Sequence, residues 1–221
     1  MARPRARDYD DKRNLILARA AELFAQRGYG GASITMIAEA CGVSKALLYH
    51  YYSDKESVLF DIIYAHLVQL IEVVEGASVE DADPRESLYA IAAALLEAYR
   101  DADAEHQVQI NNLKLLPPEK QEQLKDLERD LVRYFSHAIA RAVPDLDKEL
   151  VKPVTMSLFG MLNWHYLWFR EGRGLTRADY ARLVTELVIA GTPAAVAALG
   201  AVEPDASGAE RKEMKLLHRR R

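Results

Sequence analysis

Residues 41–59, CGVSKALLYHYYSDKESVL, decide the fold of this chain, because they combine a tight turn with an unusual cluster of aromatic side chains. Three of the four residues at 49–52 are tyrosines, although aromatic residues make up only 8% of the sequence. Gly42 permits a sharp turn, Val43 fills the angle between two helices, and Ser44 is a typical N-cap residue. The pattern predicts a short helix that directly follows a turn.

The residues before this stretch predict another helix that ends at the same turn. Ser33 is a typical N-cap, and Ile34, Ile37 and Cys41 recur at the spacing of one buried helical face. Ala38 is small at the point where the two helices would cross. Two short helices joined by a glycine turn are typical of a helix-turn-helix motif.

The helix after the turn has two predicted faces. Leu48 and Tyr52 are four residues apart and should pack inward, whereas Lys45, Tyr49 and part of His50 should face outward. An exposed tyrosine can lay its ring along deoxyribose and donate a hydrogen bond to a phosphate, and a lysine can reach a base edge or a phosphate. The alternative places all three tyrosines in the core; we accept it for Tyr52 only.

Residues 53–56 predict the start of a long fourth helix. Ser53 and Glu56 have the spacing of a capping box. Lys55 would add its charge beside the exposed N–H groups of the helix start, which together favour an anion.

Composition indicates a globular chain that meets no membrane. The 221 residues are 50% hydrophobic and 28% charged, which is enough for one sizeable core or for a small domain plus a larger one. The N-terminus lacks the apolar segment of a secretory signal, and no apolar run reaches the roughly 18 residues that cross a bilayer. Cys41 is the only cysteine, so no intrachain disulfide is expected. We therefore expect a cytoplasmic protein.

The net charge of −4 is distributed unevenly along the chain. Residues 1–55 carry nine Lys and Arg against six Asp and Glu, and residues 209–221 carry six against two. Residues 56–208 carry 14 against 25. This pattern favours contact between the N-terminal region and a polyanion, although short charge excesses also occur on ordinary solvated surfaces.

The whole chain predicts an all-α fold. No segment alternates apolar and polar residues as a strand would, and most prolines fall at plausible helix breaks. Residues 200–221 have the composition of a mobile tail. The predicted helices are 10–28, 33–40, 44–51, 54–76, 84–103, 105–115, 118–143, 147–171 and 176–199.

Residues 10–59 resemble the DNA-binding domain of the TetR-type transcriptional repressors. The match is carried by ILARAAELFAQRGYGGASITMIAEACGVSKALLYHYYSDKESVL, above all by its Gly-Val-Ser, Leu-Tyr-x-Tyr-Tyr and Lys-Glu elements. The last aromatic position of that run is usually Phe in the family and is Tyr52 here. The resemblance covers about a quarter of the chain and implies a ligand-responsive regulator rather than an enzyme.

The resemblance implies a division of the chain. Residues 1–55 would form a three-helix DNA-binding domain with a basic arm at Arg3, Arg5 and Arg7; the alternative for the arm is a disordered tail. A long helix would join it to a helical ligand-binding and dimerisation domain, 56–199, followed by the tail 200–221. The third helix would enter the major groove, with these residues near DNA: Ser33, Thr35, Ser44, Lys45, Ala46, Leu47, Tyr49, His50, Tyr51 and Lys55.

The family also implies a homodimer that binds a near-palindromic operator, with its two reading helices roughly 34–36 Å apart or somewhat farther. The dimer surface would lie on the last two helices, which would form a four-helix bundle with their copies, although the same residues also suit an internal core. The apolar positions concerned are Leu158, Met161, Leu162, Leu183, Leu187 and Val188.

Residues 157–176, SLFGMLNWHYLWFREGRGLT, resemble the regulatory half of TetR-type members that sense acyl-CoA or aryl-CoA thioesters in fatty-acid, steroid or aromatic-acid breakdown. Trp164 and Trp168 are four residues apart, so one helix would place both on one face; apolar helical stripes more commonly belong to a core or dimer interface. A thioester needs an apolar slot and cations. The predicted ligand-binding residues are Tyr99, Arg100, Tyr134, Phe135, Trp164, His165 and Trp168.

Other functional classes of protein fit the sequence less well. A repressor that senses hydrophobic drugs and controls an efflux pump is the alternative effector hypothesis. The sequence has no phosphate-binding glycine loop, no His-Glu-x-x-His and no Gly-x-Ser-x-Gly, so we expect neither an enzyme nor a cofactor. The histidines His106, His137 and His165 lack the i, i+4 spacing of metal ligands, so we expect no metal.

Overall fold

The computed structural model describes residues 3–79 and 81–200, and the side chains of residues 9–79 and 81–200. Within these ranges the chain forms helices and no strand, as predicted. Two single 3-10 turns lie at Leu113–Leu115 and His165–Leu167. The helices are α1 Arg3–Gly31, α2 Ile34–Ala40, α3 Lys45–Tyr51, α4 Lys55–Ala77, α5 Pro84–Ala98, α6 Asp103–Asn112, α7 Pro118–Ala142, α8 Lys148–Asn163 and α9 Arg177–Gly200.

Helix α1 is longer than predicted, because it begins at Arg3 and includes the predicted basic arm. The side chains of Arg3, Arg5 and Arg7 lie outside the described part of the structure. Gly28 has φ 72°, a left-handed conformation that glycine adopts without steric cost, and it kinks the helix near its end. The predicted tail, apart from Gly200, also lies outside the described residues.

Two hydrophobic cores share one long helix. The head core contains the buried faces of α1, α2 and α3, together with Val108, Leu116 and Leu124 from α6, α7 and the turn between them. The body core contains the buried faces of α5, α7, α8 and α9. Helix α4 contributes to both, with residues 58–67 in the head core and Leu70 and Val74 in the body core. Packing of the head therefore extends past residue 55.

The start of α4 differs from the predicted capping box. Asp54 is the N-cap, and its Oδ1 accepts from the backbone N–H of Ser57 at 2.7 Å. The hydroxyl of Ser53 donates to Asp54 Oδ2, while Glu56 accepts from Lys120 Nζ at 2.8 Å. The capping-box prediction was wrong. Asp54, not Ser53, accepts the backbone hydrogen bond at the start of α4, and the Glu56 carboxylate is engaged by Lys120 of α7.

Two helices, α4 and α9, are long and apolar enough to cross a membrane by length and composition alone, although the sequence pattern predicted no such segment. The same composition suits the core helix of a soluble protein. Leu59, Ile63 and Leu67 of α4 are fully buried in the head core, and Val184 and Val188 of α9 lie in the body core.

The outer surface of α8 and α9 keeps apolar residues exposed. Leu158, Leu162 and Val188 are buried in the body core, so for them the internal-core interpretation applies. Leu183 is 45% exposed and Leu187 is 55% exposed. The predicted dimer residues therefore divide between the core and an apolar surface.

Candidate nucleic-acid interface and effector site

The turn between α2 and α3 is fixed by local contacts that the sequence encodes. The hydroxyl of Ser33 accepts from the N–H of Met36 at 3.2 Å and caps α2. Gly42 has φ 65°, and Val43 N–H donates to Ala38 O at 3.0 Å, which closes the turn. This geometry sets the angle at which α3 leaves α2.

Helix α3 exposes the side chains that were predicted to meet DNA. The hydroxyl of Ser44 caps the helix by accepting from Leu47 N–H at 3.1 Å. Leu48 is fully buried in the head core and anchors the inner face. Tyr49 is 48% exposed, and Lys45 Nζ lies 5.8 Å from the centroid of its ring. The exposed residues are Ser33, Thr35, Ser44, Lys45, Ala46, Leu47, Tyr49 and His50.

Of the other two tyrosines of the cluster, Tyr52 packs inside the head and Tyr51 lies at its edge. Tyr52 is only 5% exposed, in agreement with its predicted inward position, and burial raises its pKa. Tyr51 is half-buried, and its ring stacks on that of Tyr9 at a centroid distance of 4.6 Å. Tyr51 therefore packs against α1 as well as bordering the outer surface.

Lys55 was predicted to help bind an anion at the start of α4, but its ammonium group instead points at backbone carbonyl groups. Its Nζ donates to the backbone oxygens of Tyr29 at 2.6 Å and Ala32 at 2.9 Å, and lies 4.2 Å from the ring centroid of Tyr29. The carbonyl groups at the end of a helix need donors, and this ammonium supplies them. The Lys55 ammonium group therefore serves mainly to hold the end of α1 in this structure.

Tyr99 and His165, two predicted effector residues, come together in a buried aromatic cluster. Their ring centroids are 5.8 Å apart, and His106 lies 4.3 Å from Tyr99. The hydroxyl of Tyr99 donates to Asn163 Oδ1 at 3.0 Å, and His106 Nε2 lies 3.0 Å from Asn163 O. Burial lowers the pKa of His165 and lowers that of His106 to about 4.

Phe135 and Tyr134 face different surroundings, so the predicted site does not converge on them. Phe135 is fully buried and packs on Phe159 at a ring-centroid distance of 4.7 Å. Tyr134 lines an open groove of about 400 Å³ together with Arg133 and His137. Successive residues of one helix point in different directions, which explains the separation.

Trp164 and Trp168 do not lie on one helical face. Helix α8 ends at Asn163, and the following 3-10 turn changes the direction of the chain. Trp164 is 50% exposed, and Trp168, 55% exposed, meets Tyr180 edge to face at 5.0 Å. The prediction of a shared face was wrong because it assumed that the helix continues to residue 171.

The arginines that could supply cations for a thioester also lie apart. Arg100 forms a bidentate pair with Glu97, at 2.7 and 2.8 Å, and approaches Glu171 at 3.3 Å. Arg170 and Arg173 line a small pocket of about 200 Å³ with Trp168. The apolar groups and the cations predicted for a thioester are therefore spread over three places in this conformation.

Sequence reasoning missed Asn163 and His66 as parts of the buried cluster. Asn163 contacts both Tyr99 and His106, but polar residues at a helix end carry no distinctive sequence signal. His66 is 3% exposed, and it follows Ile62 and Ile63 on the buried stripe of α4. A histidine in register with a buried stripe is the signal that could have identified it. Within residues 9–79 and 81–200 no three His, Cys, Asp or Glu side chains are grouped to hold a metal.

Protein-family models match the chain in both its N-terminal and its C-terminal region. Residues 16–62 match the family described as bacterial regulatory proteins, tetR family. Residues 81–192, half of the chain, match the tetracyclin repressor-like C-terminal domain. A curated relative of full length is the uncharacterized HTH-type transcriptional regulator YhgD of Bacillus subtilis, 25% identical over 190 residues, which are 83% of this chain and 98% of the relative.

Solved structures of the same family share the fold. A TetR-family transcriptional regulator from Bordetella parapertussis is 32% identical with a TM-score of 0.75, over 80% of this chain and 93% of that one. AibR in complex with isovaleryl coenzyme A and operator DNA is 27% identical with a TM-score of 0.70, over 80% and 97%. These relatives are transcriptional regulators and not enzymes. The chain therefore belongs to the TetR family of transcriptional regulators.

Proposed function

We propose that this regulator represses transcription in the cytoplasm as a homodimer that binds a near-palindromic operator through α3. The observation that carries the proposal is the outward face of α3, where Lys45, Ala46, Leu47, Tyr49 and His50 are exposed around the buried anchor Leu48. A lysine with small and apolar neighbours can combine hydrogen bonds to base edges with contact to thymine methyl groups.

The contacts on α3 divide into two proposed roles. Lys45, at the start of the helix, would read a base edge, whereas the Tyr49 hydroxyl would bind a phosphate. Ser33 and Thr35 at the start of α2 would add further phosphate contacts. We keep the division into a DNA-binding region 1–55, a regulatory region 56–199 and a tail 200–221 as part of this proposal.

Binding to variant operators tests these roles. Duplexes enriched from a random pool would supply the operator, and fluorescence anisotropy would measure the affinity for it and its single-base variants. Lys45→Ala should lose about 1–3 kcal/mol of discrimination at one base position. Tyr49→Phe should weaken binding to all duplexes alike, by about tenfold. Lys114→Ala, at an exposed position of the 3-10 turn Leu113–Leu115 and outside both α3 and the proposed dimer surface, is the control. The reverse assignment of effects, or unchanged binding by both variants, would refute the roles.

We further propose that an anionic thioester, of the acyl-CoA or aryl-CoA class, releases the operator. The likeness to AibR, whose structure contains isovaleryl coenzyme A, supports this class. So does the pocket that joins Trp168 to Arg170 and Arg173, because it pairs an apolar surface with two cations. Thioester binding would favour a spacing of the two α3 helices that no longer fits successive major grooves.

Thermal unfolding with a panel of acyl-CoA and aryl-CoA compounds tests the effector class. A binding thioester should raise the midpoint of unfolding, since it stabilises the folded state, and should release labelled operator in the anisotropy assay. Free coenzyme A and the matching free acids are controls for the two halves of the ligand. Stabilisation by a lipophilic cation and by none of the thioesters would instead support a drug sensor.

A further inference from the structure

Helix α3, which carries the proposed DNA-binding face, is too short to hold its conformation by itself. It contains seven residues, and helices of fewer than about 12 residues are marginal in water without tertiary contacts. All seven residues are described, and among them Leu48 alone is fully buried. Leu48 fixes the middle of α3 to the head core, so a further contact is required to fix its last turn.

Tyr9 of α1 supplies a contact to that last turn. Its ring stacks on the ring of Tyr51, the last residue of α3, with the centroids 4.6 Å apart and the planes inclined by 23°. Stacked aromatic pairs stabilise a contact beyond the effect of the area that they bury. His50 meets the same Tyr51 ring edge to face at 5.8 Å. The Tyr51 ring therefore links α1 to an exposed side chain of the proposed DNA-binding face.

The face of α1 that carries Tyr9 is anchored independently of α3. Arg13 follows Tyr9 by one helical turn, and its Nη2 donates to Asp61 Oδ2 of α4 at 2.6 Å. Leu17, one turn further along, is buried in the head core. Because this part of α1 is fixed to α4 and to the core, the Tyr9 ring can hold the end of α3 in place.

We propose that Tyr9 is a positioning residue, which fixes the last turn of α3 through Tyr51 and thereby the direction of the proposed DNA-binding face. Tyr9 is 41% exposed, so it covers the Tyr51 ring without filling a position in the head core. Without the Tyr9 ring the last turn of α3 would open more often, and Tyr49 and His50 would be held in less uniform directions. The part of this proposal that concerns operator affinity rests on the proposed function of α3.

Hydrogen–deuterium exchange of the free protein and operator affinity together test the role of Tyr9. Tyr9→Ala removes the ring and keeps a residue of high helix propensity in α1. We expect the backbone amides of residues 49–52 to exchange about tenfold faster in this variant, and operator binding to weaken by a similar factor. Tyr9→Phe retains the ring without the hydroxyl, so it should restore both quantities to the values of the parent chain.

Tyr64→Ala is the matched control. Tyr64 is 42% exposed and stacks on Phe60 within α4, so its removal should change neither quantity. Three results would each overturn the role of Tyr9: unchanged exchange at residues 49–52 in Tyr9→Ala, unchanged operator affinity of that variant, or failure of Tyr9→Phe to restore both. If the parent chain bound no operator, the proposed function would fail, while exchange would still decide whether Tyr9 fixes α3.

Discussion

At the scale of single residues, Lys55 illustrates how a charged side chain near the helix proposed to bind DNA can serve the fold. Its ammonium group satisfies the carbonyl oxygens of Tyr29 and Ala32 where α1 ends. These oxygens are far from Lys55 in sequence, and both lie beside the kink at Gly28. Lys55 therefore holds the end of α1 against the start of α4.

We expect Lys55→Met to reduce the free energy of unfolding by about 1–3 kcal/mol, because it leaves two carbonyl groups without their donor. Chemical denaturation monitored by circular dichroism would measure the change. Lys114→Met, at an exposed position of the 3-10 turn Leu113–Leu115, should change stability little. Unchanged stability of Lys55→Met, together with lost operator affinity, would restore the original phosphate-binding interpretation.

At the scale of elements, the first turn of α4 is set by its cap and by a neighbouring helix. Asp54 caps the turn, and its hydrogen bonds, first that from the Ser57 backbone, lower the pKa of its carboxyl group. Lys120 of α7 pairs with Glu56 at 2.8 Å and lies 5.7 Å from the ring centroid of Phe60. The turn that follows α3 is thereby attached to the start of α7.

Asp54→Ala should reduce the free energy of unfolding by about 0.5–2 kcal/mol, because it removes the N-cap of α4. Ser53→Ala should cost less, since the Ser53 hydroxyl donates to Asp54 and does not itself cap the helix. Urea denaturation of the two variants would compare them. A larger loss for Ser53→Ala would favour the capping box that the sequence pattern predicted.

At the scale of the whole molecule, α4 contributes residues to both cores, and buried histidines lie where the two cores meet. His66 of α4 and His106 of α6 have ring centroids 5.9 Å apart. Burial lowers the pKa of His66 to about 3 and that of His106 to about 4. Since an unfolded histidine titrates near 6.5, the unfolded chain binds protons first as pH falls.

The free energy of unfolding should therefore fall as pH drops from about 6.5 towards 4, by about 1.4 kcal/mol per pH unit for each of these two histidines. Above pH ~6.5 both states hold them neutral, so they add no pH dependence there. His66→Phe should make the fall shallower in denaturation experiments at stepped pH. His137→Phe, at an exposed position of α7, is the control. An unchanged slope in His66→Phe would contradict the assignment.

The apolar surface of α8 and α9 gives a prediction about assembly. Leu187 is 55% exposed on α9, so Leu187→Asp places a charge in the proposed dimer interface without disturbing the body core. We expect a folded monomer in analytical ultracentrifugation and loss of operator binding. Leu115 is 51% exposed in the 3-10 turn Leu113–Leu115, outside α8 and α9. The control variant Leu115→Asp should therefore remain a dimer. A dimeric Leu187→Asp variant would place the interface elsewhere.

The sequence by itself determined the features that depend on neighbouring residues. The caps at Ser33 and Ser44, the turn at Gly42 and the inward position of Leu48 were all readable from it. These follow from side-chain chemistry and helical period within a few residues, so the helix-turn-helix and its exposed face could be predicted.

Only the tertiary structure decided which distant groups meet. The destination of the Lys55 ammonium group, the contact of Tyr99 with Asn163 and the separation of Trp164 from Trp168 all depend on where helices end and how they pack. Each helix fixes the period of its side chains but not the identity of the helix that its buried face contacts.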